Sequence, residues 1–435
     1  MAKIRVLIVV PSEPELKRSA MAMATGDAGA ASLRRAPSRL PGAIDLDPAF
    51  AAVPIARLGV TPSFELSAAA SAPAFVVRGE IDDTRLNTPA GHQVFADPGI
   101  HPFITCVDTP AIGTAATVRQ RLGIPALKKR GLTGKGVALA IMDTGINLAA
   151  LKARGLDPKL NRQITYSPSG AKPTPGRYPI GHGSMCAFDA LITAPEATLL
   201  DFPILNPATD DTGLAGFLSD ATAAYSVLLT ALRHGGKLAG KALVVSNSWG
   251  IYSARDDFPK GHPGRYIDNP NHPFNIICGT LSRAGTDILF AAGNCGKQCP
   301  DDRCTSTRHT IMGANASSAV TTVAGVDTHN KRVGYSSIGP GIPGMSPTKP
   351  NFACYTHFSG SRPGVPDTGT STSTPVMAGC IAALRTKLKP GKLSPADLAR
   401  ELRTDTIHTG YPDGWNAEIG YGIVQPQATA KRLDL

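Results

Sequence analysis

Val137-Ala138-Leu139-Ala140-Ile141-Met142-Asp143-Thr144-Gly145 is an unbroken apolar run that ends on a carboxylate and a glycine. A run this short and this apolar reads as a strand covered on both faces, the pattern of a parallel sheet. It delivers Asp143 at its carboxyl end, where open α/β sheets gather their ligands. The same texture returns at residues 197–202, 242–246 and 287–291. Residues 214–234 have helical apolar spacing and stop at Gly235-Gly236, and residues 125–130 suit a short helix closed by Gly131. From Pro110 onward helices and apolar strands alternate. That predicts an α/β fold, a mostly parallel β-sheet flanked by helices. Residues 251–273 and 338–368, dense in Pro, Gly and Asp, read as surface loops.

Three further segments carry chemistry: His182-Gly183-Ser184, Ala291-Ala292-Gly293-Asn294 and Gly369-Thr370-Ser371-Thr372-Ser373-Thr374-Pro375. A serine hydroxyl is a poor nucleophile until an imidazole takes its proton during attack, and Ser371 and His182 are the candidates. The imidazole needs a fixed tautomer and compensation for the charge it acquires, which a buried carboxylate supplies; Asp143 is the candidate. Asn294 offers a side-chain amide to a tetrahedral oxyanion, beside the backbone N–H of Ser371. Val376, Met377, Ile381, Leu384 and Leu388 recur at helical spacing. Ser371 is therefore expected to begin a helix, whose N-terminal field favours negative charge developing nearby. A second Asp-Thr-Gly at Asp367-Thr368-Gly369 raises a paired-aspartate alternative. That copy runs into the serine segment and its helix, so it does not imitate such a pair.

In the order Asp, His, Asn, Ser these segments resemble the subtilisin-like serine proteases, or subtilases. The likeness spans residues 125–427 and closes on Gly420-Tyr421-Gly422-Ile423-Val424, a family-like strand. It implies a serine endopeptidase that hydrolyses peptide bonds through an acyl-enzyme, with Asp143, His182 and Ser371 as catalytic set and Asn294 as oxyanion donor. It also implies that Ser246-Asn247-Ser248-Trp249-Gly250 is a substrate-binding strand, with Ser248, Trp249, Gly250 and Gly293 lining the cleft. The Trp249 indole then either bounds a side-chain subsite or packs in the core. Around His182 the chain departs from the family pattern at Ser184, Cys186, Phe188 and Asp189. Cys186 lies one helical turn past His182, which predicts a thiol beside the general base, open to alkylating agents or inert as a small buried hydrophobe.

Residues 1–110 differ in texture, with strand-like stretches at 3–10, 74–80 and 94–98. Between them, residues 19–40, rich in Ala, Ser, Pro and Arg, are expected to be mobile. By the same resemblance this part is a propeptide-like N-terminal region, an intramolecular inhibitor and folding chaperone removed by self-processing. The peptidase domain then occupies residues 111–435, and an unrelated accessory domain is the alternative for residues 1–110. Two other functions stay open: a dedicated maturation protease for one precursor or leader peptide, and an inactive protease-fold binding module. The last would have lost Asp143, His182 or Ser371, and none is missing.

Bulk composition narrows the partners. The chain has 435 residues, 42% hydrophobic and 18% charged, as a globular protein has. Its net charge of +11 is scattered, without a basic stripe interleaved with aromatics, so a peptide or protein substrate is expected and nucleic acid is not. No apolar run reaches the ~18 residues of a membrane span, and no membrane partner is expected. The apolar stretch after Lys3 and Arg5 is short for a secretion signal, which favours a strand and a cytoplasmic chain, secretion being the alternative. Cys295, Cys299 and Cys304 follow Asn294 in a C-x3-C-x4-C pattern with too few ligands for a structural zinc site. One disulfide stapling the loop, or reduced thiols, is the reading. Cys106, Cys278, Cys354 and Cys380 read as core residues. No metal or cofactor is assigned; calcium, common among subtilases, finds no ligand-spaced Asp/Glu loop here.

Overall fold

The computed structural model describes residues 3–11, 39–40, 44–55, 74–83, 86, 93–103, 109–168, 174–205 and 216–435. Cys106 and nearly all of the stretch 19–40 lie outside the described residues. At the centre is a seven-stranded, wholly parallel sheet in the spatial order Phe352–Tyr355, Thr321–Val326, Asp287–Ala291, Ala242–Asn247, Val137–Met142, Thr198–Phe202, Lys159–Asn161. Both faces are covered, which is why these strands read as continuous apolar runs. Val137, Leu139 and Ile141 pack with the helices His182–Thr193 and Thr370–Arg385. Ala138, Ala140 and Met142 pack on the other side with the helices Leu218–Leu232 and Pro273–Arg283.

Two expectations fail. Phe352–Tyr355 is a fully buried edge strand of the central sheet, and Phe358–Arg362 pairs with Val365–Asp367 as a hairpin, so 338–368 is not simply a surface loop. Within 251–273, Ile251, Tyr252, Phe258, Tyr266 and Ile267 are buried. Its aspartate is a structural turn-former: Asp257 accepts from the backbone N–H of Phe258 (2.7 Å), Tyr266 (2.9 Å) and Ile267 (2.8 Å). Satisfied this way, an irregular segment can sit in the interior. The closing stretch 420–424 makes bridges through Ile423 to Ala353 and Ile407 rather than a strand.

The N-terminal residues form a separate antiparallel sheet around the pair Lys3–Pro11 and Ala74–Asp82. Its Val6, Ile8, Phe75 and Val76 share one apolar cluster with helices Leu218–Leu232 and Pro273–Arg283. After Gln93–Ala96, which pairs with Lys3–Pro11, the strand Gly99–Pro102 leaves this sheet. It lies between Gly216–Phe217 and Trp249–Gly250, antiparallel to both.

Where the N-terminal sheet meets helix Leu218–Leu232 the contact is partly ionic. Arg78 donates to Asp47 Oδ2 through Nη2 (2.6 Å) and to Asp220 Oδ1 through Nη1 (3.2 Å). Asp97 Oδ1 accepts from Ser219 N in the first helical turn at 2.7 Å. Burial pushes Asp97 up to about 6 and the neighbouring His272, whose Nε2 donates to Ala96 O at 2.9 Å, down to about 3. The two act oppositely. A carboxyl raised on folding stabilises below its unfolded pKa and loses that stabilisation as pH climbs towards 6. A histidine lowered on folding stabilises above its unfolded pKa and loses it as pH falls. Replacing Asp97 isolates the first effect. The stability of wild type relative to Asp97→Asn should rise by up to about 3 kcal/mol between pH 7 and pH 4 in urea unfolding. A difference independent of pH would contradict the buried carboxyl.

Candidate active site

The four chemical segments converge at the carboxyl edge of the central sheet. Asp143 follows the strand Val137–Met142, and its backbone is pinned there: Asp143 N donates to Phe202 O at 3.0 Å and Leu205 N to Asp143 O at 3.0 Å. His182 is the first residue of helix His182–Thr193. Ser371 is the second residue of helix Thr370–Arg385 and Pro375 the sixth; the proline has no N–H for Ser371 O, which instead accepts from Ser248 Oγ at 3.0 Å and the Cys186 thiol at 3.5 Å. Asn294 follows the strand Asp287–Ala291 and is fully buried.

Two helices therefore set the distance between imidazole and hydroxyl. They cross so closely that a Cβ on Gly379 would lie 2.2 Å from Ala190 O and 2.0 Å from Thr193 Oγ1. Thr193 Oγ1 donates across to Val376 O at 3.3 Å. At the far end Arg385 is fully buried and bidentate on Asp287, at 2.6 and 2.8 Å, which fixes the helix against the strand that leads to Asn294.

His182 Nδ1 lies 2.8 and 2.9 Å from the two oxygens of Asp143. The carboxylate also accepts from Thr144 N at 2.8 Å and from the Cys186 thiol at 3.5 Å. With Nδ1–H committed to the carboxylate, Nε2 is the basic nitrogen, and it is buried without a hydrogen-bond partner among the described residues. The Ser371 hydroxyl is fully buried and points elsewhere. It is hydrogen-bonded to Phe103 O at 2.8 Å and Ser248 O at 3.2 Å. So the first link of the Asp143, His182, Ser371 series is made and the second is displaced by a peptide carbonyl.

That carbonyl ends the inserted strand. Phe103 N donates to Ser248 O at 3.2 Å, continuing the pairing of Trp249 with Pro102 and Gly250 with His101. The Phe103 ring enters an apolar pocket with Tyr252, Ala291 and Cys295. Gly250 makes the room, since a Cβ there would lie 2.6 Å from Phe103 Cζ, and one on Gly293 would lie 3.5 Å from it. Trp249 meets the strand only through its backbone. Its indole is fully buried against Phe274 and Phe290 in the core, so it bounds no subsite.

Asn294 is aimed by a residue that sequence reasoning missed. Its Oδ1 accepts from both Thr370 N and Thr370 Oγ1 at 3.0 Å, which turns Nδ2 the other way. A Cβ on Gly369, whose φ is +83°, would sit 2.9 Å from Phe103 O and 3.0 Å from Asn294 Nδ2. Glycine thus keeps open the space that a carbonyl oxygen and the amide share.

The departures around His182 find places. Cys186 is near the base as expected, its sulfur 3.8 Å from His182 Nδ1 and hydrogen-bonded to Ser371 O at 3.5 Å. Burial, and then Asp143, push its thiol pKa well up, so the expected alkylation is disfavoured: the nucleophilic thiolate is scarce and enclosed. Asp189 lies next to Asp367, four residues before Ser371. Burial, and then Asp367, raise the Asp189 pKa well above the ordinary carboxyl value, which favours the neutral acid. Asp201, buried and pushed up to about 7, accepts from Gly176 N at 2.8 Å and from Ile146 N at 3.2 Å, tying down the loop after Asp143.

Cys295 and Cys304 form a disulfide, and Cys299 is disulfide-bonded too, while Cys278, Cys354 and Cys380 are buried free thiols. Among the described residues, the group of acidic, His and Cys side chains close enough to share an ion is Asp143, His182 and Cys186. That thiol and imidazole suit a soft metal and not calcium, which takes oxygen ligands.

The subtilase family profile matches residues 134–422. No curated protein matches the chain. Among solved structures, MycP1 from the ESX-1 type VII secretion system is similar at 20% identity and a TM-score of 0.50, covering 76% of this chain and 90% of that one. The MycP3 protease of the type VII (ESX-3) system aligns at 19% identity and a TM-score of 0.49, over 76% of this chain and 94% of that one. MycP1 from Mycobacterium smegmatis aligns at 18% and 0.48, over 76% and 90%.

If the crossing at Gly379 sets the site, Gly379→Ala should lower stability by about 2 kcal/mol in denaturant unfolding, although alanine is the better helix former. An unchanged or raised midpoint would show that the helices have room to spare.

Proposed function

The chain belongs to the subtilase family and is a subtilisin-like serine peptidase acting on peptide or protein substrates, and on that premise we propose a division of labour among its residues. His182 Nε2 takes the Ser371 proton as Ser371 Oγ attacks a peptide carbonyl. Asp143 holds Nδ1–H and compensates the imidazolium. The tetrahedral oxyanion takes hydrogen bonds from Asn294 Nδ2 and the Ser371 N–H, a first-turn helix amide with no intrahelical acceptor. His182 returns the proton to the leaving amine, and water releases the acyl group by the same steps in reverse.

One observation carries the finer reading: residues 99–103 lie along the cleft as a peptide would, with the Phe103 carbonyl at the Ser371 hydroxyl. The N-terminal region is thus an intramolecular inhibitor, and the bond after Phe103 is the self-processing site. Substrates carry a large aromatic residue on the amino side of the cut, matching the Phe103 pocket. The Cys295–Cys304 disulfide supports the secreted alternative for localisation, because such bonds persist in oxidising compartments.

Mass spectrometry of purified wild type should give a fragment ending at Phe103 and a new N-terminus at Ile104, with Ser371→Ala intact and unlabelled by a fluorophosphonate. Cleavage elsewhere, or cleavage in Ser371→Ala, refutes the self-processing. A second variant, Gly250→Ala, should slow cutting after phenylalanine by at least about tenfold while sparing alanine at that position, since one methylene-scale change in a pocket is worth roughly 10–200-fold. Equal losses on both peptides would remove the pocket as the source of selectivity.

A further inference from the structure

The segment 252–304 builds a contact to the cleft peptide that the catalytic set does not use. The Tyr252 hydroxyl donates to Pro102 O at 3.0 Å, one residue before the aromatic anchor. Its ring meets the Phe103 ring edge-on at 5.2 Å. The same hydroxyl accepts from Arg303 Nη2 at 2.7 Å, while the guanidinium carbon lies 3.9 Å from the Tyr252 ring centroid. Arg303 is itself clamped by Asp301, with Nε on Oδ1 at 2.8 Å and Nη2 on Oδ2 at 2.9 Å. Asp301 N donates to Asn294 O at 3.0 Å, and Cys304, next to Arg303, is bonded to Cys295, next to Asn294. A short disulfide-closed loop thus ties the arginine to the oxyanion side of the site.

We propose that Tyr252 is a specificity-determining residue that reads the carbonyl preceding the aromatic residue, and that Arg303 is the positioning residue that makes it an effective donor. The inference rests on reading the cleft as the substrate site. A phenol that accepts a charge-assisted hydrogen bond becomes the stronger donor in turn. Proline suits this contact: it has no N–H to offer a neighbouring strand, so its carbonyl is its one backbone handle. The substrate class is accordingly a peptide of the form X-aromatic with an acyl carbonyl at X, proline included.

Two esters separate recognition from chemistry. N-acetyl-phenylalanine methyl ester presents the carbonyl that Pro102 presents; 3-phenylpropionic acid methyl ester has the same ring and reacting carbonyl without it. The chain is expressed in full, separated from its cut N-terminal fragment, counted by fluorophosphonate titration, and assayed as wild type and as Tyr252→Phe. Loss of a hydrogen bond of this kind should lower kcat/KM roughly tenfold on the first ester and leave the second unchanged. Arg303→Met should show the same selective loss, smaller, and the double variant should be no worse than Tyr252→Phe alone. Arg303→Met carries the test by itself if Tyr252→Phe does not fold. Equal losses on both esters, or none, overturn the role of Tyr252 while leaving the peptidase reading intact. A wild type freed of its cut N-terminal fragment that still titrates with no site and cuts neither ester overturns that reading, and this inference with it.

Discussion

The crossing of helices His182–Thr193 and Thr370–Arg385 is the constraint on which the site depends. His182 and Ser371 each sit at the N-terminus of one helix, and no hydrogen bond joins the two side chains. Backbone against backbone at Gly379 leaves the helices no freedom to slide, and the bidentate Arg385–Asp287 pair stops the second helix from moving along its axis. The same strand that begins at Asp287 ends beside Asn294. His182, Ser371 and Asn294, the proposed base, nucleophile and oxyanion donor, are thus held by one rigid block, whose interior tolerates neither extra volume nor loss of contact.

Against that block the N-terminal strand competes for a single proton. The Ser371 hydroxyl can donate to an imidazole or to a carbonyl, and here it meets the carbonyls of Phe103 and Ser248. The proposed latency would need no distortion of these residues. Asp143 and His182 are already joined, and apart from removal of the peptide all that changes is where one O–H points. Apo and inhibited sites commonly show such slack, which closes only when a reacting group arrives.

Much of this was legible in the sequence, and the limits have physical causes. Long apolar runs announced the central strands because burial on both faces leaves no polar alternation to confuse the period. Asp143, His182, Asn294 and Ser371 stood out because their chemistry requires particular neighbours. Trp249 misled because its backbone and its indole serve different regions, and sequence does not separate the two. Tyr252 and Phe258 lay in a stretch whose Pro, Gly and Asp suggested exposure; Asp257 instead satisfies buried backbone there. Phe103 and Thr370 could not be found at all, since their roles exist only across contacts distant in the chain. The choice of Cys304 over Cys299 as partner for Cys295 is likewise set by the fold, not by spacing.

If the bond after Phe103 is cut as proposed, the apolar cluster that the N-terminal sheet shares with two helices of the peptidase block governs what happens next. Severing a polypeptide next to Phe103 breaks one covalent bond and none of the ladder, ring or ionic contacts that hold the piece in place. The fragment would stay seated as a tight product, a plug whose escape is governed by its own unfolding and not by the chemistry that freed it. On the proposed reading, onset of turnover would be a question of how long a detached domain survives.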